Sequence, residues 1–229
     1  MLVSHRYKFL YTKTVKTGGT SVESYFERFC MPEGEWTLTQ GREEYVSESG
    51  ILGYRGKKIP NGCTWWNHMP AALIRQGVGE EIWASYFKFC VIRNPFDKAV
   101  SAFFFFRKTR DDSNLPDPSE AGVLDGLRAE FEAWLETSTL PKDRDKYLID
   151  GKFSLDDVIR YERLASDLER IGARLGLPYT PHALPTFKSG IRPKGIEVGS
   201  LYTDRSRSIV EDFYKFELEY FNYTFPAGS

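Results

Sequence analysis

The sequence predicts an α/β fold, a central parallel sheet flanked by helices on both faces. Three observations predict it. Strand and helix signals alternate along most of the chain. The chain opens with an apolar strand, a glycine-bearing loop and a helix. A buried strand, Phe-Lys-Phe-Cys-Val-Ile at 87–92, runs directly into Arg93-Asn94-Pro95, a cap residue and a first-turn proline. In such sheets ligands bind beyond the carboxyl ends of the strands. The strand-to-helix junctions at 12–20 and 92–95 are therefore where chemistry is expected.

The elements follow in order. Residues 7–12 read as a buried strand and 13–19 as a loop. Residues 20–29 read as a helix, because Val22, Tyr25, Phe26 and Phe29 recur at spacings of three and four. Residues 51–55 and 63–67 suggest short strands. Residues 70–76 and 80–86 suggest short helices, broken at Gly77 and Gly79. A helix runs from Asn94 to about Lys108. Residues 109–122, with Pro116 and Pro118, read as a mobile surface loop of the kind that forms lids. Residues 123–136 form an amphipathic helix, 157–160 a short strand, and 164–175 a helix ended by Gly176 and Pro178. Residues 181–199 are loop-like, and 204–220 make a final helix.

Length and composition narrow the classes. A chain of 229 residues fits one domain over 1–229. Hydrophobic residues are 41% and charged residues 28%, enough for a packed core. With 31 Lys and Arg against 32 Asp and Glu, the net charge of -1 gives no electrostatic case for nucleic-acid binding. Cys30, Cys63 and Cys90 are odd in number and widely spaced, which argues against a disulfide framework or a zinc site and suits the cytoplasm. The N-terminal residues lack a signal-peptide pattern, and no apolar run is long enough for a membrane span. Aromatic helix faces would permit a homodimer, and nothing specifies one.

The first junction reads Lys16-Thr17-Gly18-Gly19-Thr20-Ser21. Glycines let several N–H groups point into one concavity, and the helix that follows adds its positive dipole end. Lys16 adds a full charge, and Thr17, Thr20 and Ser21 add hydroxyls. Together they make a cradle for phosphate or sulfate; the plainer reading is a Gly-Gly turn capped by Thr20. The lysine precedes the glycine pair, unlike the Gly-x4-Gly-Lys-[Ser/Thr] order of nucleotide-triphosphatase loops. At the second junction Arg93 closes the buried strand. Ser101 lies seven residues past Asn94, about two helical turns, so the two share a helix face and Ser101 can join Arg93 on one anion. The plainer reading pairs Arg93 with a structural carboxylate.

Together the two junctions resemble the sulfotransferases that use 3′-phosphoadenosine 5′-phosphosulfate (PAPS), especially their carbohydrate-type and bacterial branches. The family's Lys-[Thr/Ser]-Gly-[Gly/Thr]-[Thr/Ser] loop matches residues 16–20, with Val15 where the family often has proline. Its later Arg, Asn/Asp-Pro and Ser match Arg93, Asn94, Pro95 and Ser101. Weaker likenesses are Asn67-His68, Arg160-Tyr161-Glu162 and Lys188-Ser189, the last similar to a family loop over the nucleotide. The resemblance implies a P-loop-like three-layer fold. It implies PAPS as cosubstrate and 3′-phosphoadenosine 5′-phosphate (PAP) as product, with no metal. The 5′-phosphosulfate would sit on 16–21 and the 3′-phosphate on Arg93 and Ser101.

Sulfuryl transfer needs an in-line acceptor and stabilisation of the leaving oxygen, a task for Lys16 and the loop N–H groups. The acceptor the resemblance implies is a hydroxyl or amine of a carbohydrate or other small molecule. Its general base is expected at His68, beside Trp65 and Trp66, against a merely structural histidine. Glu23 and Glu48 stay open as bases; His5 and His182 read as peripheral and structural. Two rival readings are a P-loop-type kinase or nucleotide-triphosphatase and a nucleotide-binding module without catalysis.

Overall fold

A computed structural model describes residues 1–110, 120–178, 184–185, 187 and 192–226. In chain order the strands and helices are β1 (Leu2–Ser4), β2 (Phe9–Thr12), α1 (Gly19–Glu27), β3 (Tyr45–Ser47) and β4 (Gly50–Leu52). Then come α2 (Ala71–Val78), α3 (Glu80–Ser85), β5 (Phe87–Ile92), α4 (Pro95–Arg110) and α5 (Val123–Thr137). The series ends with α6 (Arg144–Tyr147), β6 (Leu148–Ile149), β7 (Lys152–Phe153), β8 (Asp157–Arg160), α7 (Leu164–Arg174), α8 (Asp204–Phe213) and α9 (Lys215–Tyr220). The chain divides into two compact units, one of Met1–Ile92 with Lys142–Phe187, the other of Arg93–Pro141 with Lys188–Ser229.

The first unit holds a six-stranded sheet in the order β3-β4-β1-β2-β5-β8. β5 pairs in parallel with β2 on one side and β8 on the other. The strands beyond β2 are antiparallel, and the reason is their connections. β1 and β2, and β3 and β4, are joined by turns too short for a parallel crossover. The expected α/β architecture with a central sheet is therefore present, with its parallel pairings around β5. Leu2, Phe9, Tyr11, Phe89, Val91 and Ile159 lie on one face and are fully buried. Val22, Tyr25 and Phe26 of α1 and Leu168 and Ile171 of α7 belong to the same core cluster. Phe26 sits edge-on to Phe89 with ring centroids 4.9 Å apart. Val3, Leu10 and Cys90 on the opposite face are buried too. Burial on both faces explains why β5 reads as an apolar run rather than an alternation.

Sequence and structure differ in places. Residues 63–67 form no strand; Trp66 makes one isolated bridge to Tyr54. β1 and β3 are three-residue strands that carry no periodicity of their own. Residues 111–119 of the expected surface loop lie outside the described residues.

The second unit is helical among its described residues. Phe96, Phe103 and Phe104 of α4, Phe131 and Trp134 of α5, and Val210 of α8 form one buried cluster. The phenylalanine run of α4 thus buries one side and leaves Phe106 exposed. Asn94 caps α4 as its sequence predicts: its Oδ1 accepts from Phe96 N–H at 3.1 Å, and Pro95 is the first helical residue. The final helix expected over 204–220 is two helices. Tyr214 turns out of helical geometry between them, buried, and donates its hydroxyl to the Pro141 carbonyl at 2.6 Å.

Candidate active site

The loop between β2 and α1 is held by three hydrogen-bonded contacts. Thr14 donates its hydroxyl proton to the Val91 carbonyl at the end of β5. Its oxygen then accepts from the Thr17 hydroxyl, 2.8 Å away, which turns the buried Thr17 side chain into the loop. The Val15 N–H points at both carboxylate oxygens of Asp143, each at 3.0 Å. Between these anchors the backbone is left-handed at Lys16 (φ 61°) and Gly18 (φ 69°). Gly18 caps α1 through its carbonyl, which accepts from Ser21 N–H at 3.0 Å. The N–H groups of Gly19 and Thr20, ahead of that bond, have no acceptor earlier in the helix, as at anion-binding helix ends. A side chain at Gly18 would bring its Cβ within 2.9 Å of the Tyr161 ring. Tyr161 follows directly on β8, so the Arg160-Tyr161-Glu162 segment packs on this loop. Ser21 Oγ accepts from Phe187 N–H at 3.3 Å, which brings the residue preceding Lys188 to the start of α1.

His68 reaches the same loop. Its Nδ1 lies 3.0 Å from the Lys13 carbonyl oxygen. A carbonyl can only accept, so Nδ1 carries the proton and Nε2 keeps its lone pair when the ring is neutral. The ring is strongly biased to neutral: burial, then the positive charge of Lys13, pushes its pKa down to about 4. The backbone at His68 is left-handed (φ 56°), an uncommon conformation for a non-glycine residue.

Behind the loop is a buried ionic cluster. Lys13 Nζ pairs with Glu23 Oε2 at 2.7 Å and donates to Thr20 Oγ1 at 3.2 Å. Arg42 contacts Glu23 at 3.1 Å and Arg55 contacts it at 3.0 Å; both also pair with Glu27. Asn67 completes the set with its amide nitrogen oriented toward Glu23 Oε1 at 2.7 Å. Its oxygen then accepts from Lys13 Nζ at 3.2 Å. The Met1 amine lies 3.2 Å from Glu23, and burial pushes its pKa down to about 5. For Glu23, burial alone would raise the carboxyl pKa. Lys13, Arg42, the Met1 amine and Arg55 outweigh it and hold the group well below the usual carboxylate range. Fully buried and bound by cations, Glu23 is no general base. Glu48 lies exposed in the β3–β4 turn. His5 bonds to the Tyr86 hydroxyl at 2.9 Å.

In the second unit, Arg93 donates from Nε to Asp97 Oδ2 at 2.7 Å. Arg192 donates to the other oxygen, Asp97 Oδ1, at 2.9 Å. Asp97 thus holds two guanidinium groups side by side. The structural pairing of Arg93 is therefore real for its Nε, and four of its five N–H protons lie on the terminal nitrogens. Ser101 is half-buried on α4.

Lys16 to Ser21 and the Lys13 carbonyl that holds His68 belong to one loop and helix start of the first unit, while Arg93 and Ser101 lie in the second. His182, Lys188 and Ser189 lie outside the described residues. Sequence reasoning missed Lys13, Asp143 and Arg192, and noted Asn67 only as part of a family-like segment. The available signal was slight: Glu23 and Glu27, four apart, are charged residues among the apolar positions of α1. Among the described residues no three His, Cys, Asp or Glu side chains gather as metal ligands. No described helix is long and apolar enough to cross a membrane.

An uncharacterised protein of Archaeoglobus fulgidus is 28% identical over 111 residues, which is 48% of this chain and 84% of that protein. No solved structure matches the chain. The profile of the sulfotransferase family matches residues 1–224, nearly the whole length. With that match, the chain belongs to the sulfotransferase family.

Proposed function

We propose that the protein transfers the sulfuryl group of PAPS to a hydroxyl or amine of a carbohydrate or other small molecule. Family membership supports sulfuryl transfer in general. The observation that carries the finer reading is the loop at 13–21: a left-handed Gly18 cap, a helix start whose first N–H groups precede any intrahelical bond, and His68 locked to the loop's first carbonyl. That donor set fits the anionic end of a phosphosulfate.

Lys16 and the N–H groups of Gly18 to Thr20 stabilise the negative charge that builds on the leaving phosphate oxygen. The buried Thr17 contributes its backbone rather than its hydroxyl. His68 takes the acceptor's proton on Nε2 as the acceptor oxygen or nitrogen attacks sulfur and the bond from sulfur to the phosphate oxygen breaks. For the 3′-phosphate the sequence pattern nominates Arg93 and Ser101, with Lys188 and Ser189 as further contacts. Arg192, held beside Arg93 by Asp97, joins that set.

The test is calorimetric titration with PAP, against AMP and ATP, without Mg²⁺. Micromolar binding that depends on the 3′-phosphate supports the reading. Tighter, Mg²⁺-dependent binding of ATP would replace it with a kinase-like one.

A further inference from the structure

Lys13 stands outside the loop motif, yet it is the residue through which the buried cluster touches the loop. Its ammonium has three protons and three acceptors: Glu23 Oε2, Thr20 Oγ1 and Asn67 Oδ1. An ammonium only donates. In its contact with Lys13, therefore, Thr20 Oγ1 is the acceptor, and the single hydroxyl proton of Thr20 points elsewhere. Lys13 is buried, whereas Thr20 is half-buried in the first turn of α1. The Thr20 hydroxyl is thus the boundary between the cluster and the open side of the loop.

The charge behind that boundary is unbalanced. Among the described residues three side-chain cations, Lys13, Arg42 and Arg55, face two carboxylates, Glu23 and Glu27. A hydroxyl whose oxygen accepts from a cation is a stronger donor through its own proton, because hydrogen bonds in series polarise one another.

We propose that Lys13 is a positioning residue of the anion seat: it fixes the Thr20 hydroxyl as a donor toward the oxygens bound at the start of α1 and passes the cluster's excess positive charge to them. The inference rests on reading that loop as the seat of the donor's 5′-phosphosulfate.

A double-mutant cycle tests it, with PAP as the probe and calorimetric affinity as the readout, on proteins whose folding is checked by circular dichroism. Lys13→Met and Thr20→Val each weaken PAP binding by about tenfold. The double variant binds about as weakly as Thr20→Val alone, because Lys13 acts through Thr20. Thr20→Ser, which keeps the hydroxyl, restores affinity. Independent losses that multiply in the double variant overturn the proposal, as does wild-type affinity in Thr20→Val. A variant-free readout covers the case in which Lys13→Met does not fold. The ¹⁵N resonance of Lys13 Nζ shifts on addition of PAP to the wild-type protein, and a resonance that stays still overturns the proposal. A wild-type protein that binds no PAP at all overturns the reading of the loop itself. Binding with a multiplicative cycle overturns only the role of Lys13.

Discussion

His68 donates from Nδ1 to the carbonyl oxygen of Lys13, 3.0 Å away. That one bond settles which nitrogen of the neutral ring is left to accept a proton. It also ties the ring to the backbone three residues before Lys16.

The first prediction concerns pH and turnover. With His68 titrating at about 4, kcat/KM should stay level through pH 6.5 and decline only as pH approaches 4. A rate profile measured from pH 4 to 8 checks this, and an acid limb centred near 6.5 removes His68 as the base. His68→Ala should lower kcat by roughly 10²–10⁴-fold; unchanged turnover returns the residue to a structural role.

The same shift has a consequence for stability. The unfolded side chain titrates near 6.5 and the folded one at about 4, so between those values the unfolded chain binds more protons. The folded state should therefore lose stability as pH falls from 6.5 toward 4. Urea melts across that window should show a shallower decline in His68→Gln than in the wild type.

Lys16 and Arg93 should separate by phenotype. Lys16→Ala should cut transfer by roughly 10²–10³-fold while PAP affinity changes by less than about tenfold. Arg93→Ala should chiefly weaken PAP binding, by roughly 10–100-fold. Single-turnover rates measured beside calorimetry resolve the two. Full activity in both variants removes the mechanism.

Gly18→Ala should cost about 1–2 kcal/mol from the left-handed backbone alone, with a further penalty from the Tyr161 ring at 2.9 Å. Pairing it with Tyr161→Ala should recover only the steric part. Full recovery in the denaturant midpoint would show that the backbone at Gly18 is unstrained.

Removing the centre of the buried cluster should be severe. Glu23→Ala leaves Lys13, Arg42 and Arg55 short of their shared carboxylate, and breaking a buried pair in this way costs roughly 3–5 kcal/mol. Equilibrium unfolding measures it, and a loss below about 1 kcal/mol would mean the cluster relaxes or takes up water.

What the sequence made legible was local. Asn94 and Pro95 announce α4 because the cap bond spans only two residues. Gly18 announces the turn because few other residues adopt its backbone angles. The apolar run of β5 shows because both its faces are covered. The cluster around Glu23 was illegible for the opposite reason. Its partners come from positions 13, 42 and 55, none within a helical turn of it, and nothing in their spacing marks them as neighbours. β1 and β3 escaped because three residues show no period. They are strands through their partners in the sheet. The expected single helix at 204–220 failed at Tyr214, where burying one ring outweighed continuing the spiral.

Asp143 lies 128 positions beyond the Val15 amide that it receives. A growing polypeptide has therefore completed β1 to β5 and all of α4 and α5 before the acceptor for that amide exists. Until then the segment around Lys16 lacks one of its three anchors, however early its own residues were made. The loop after β2 is thus completed by a carboxylate made long after the loop itself.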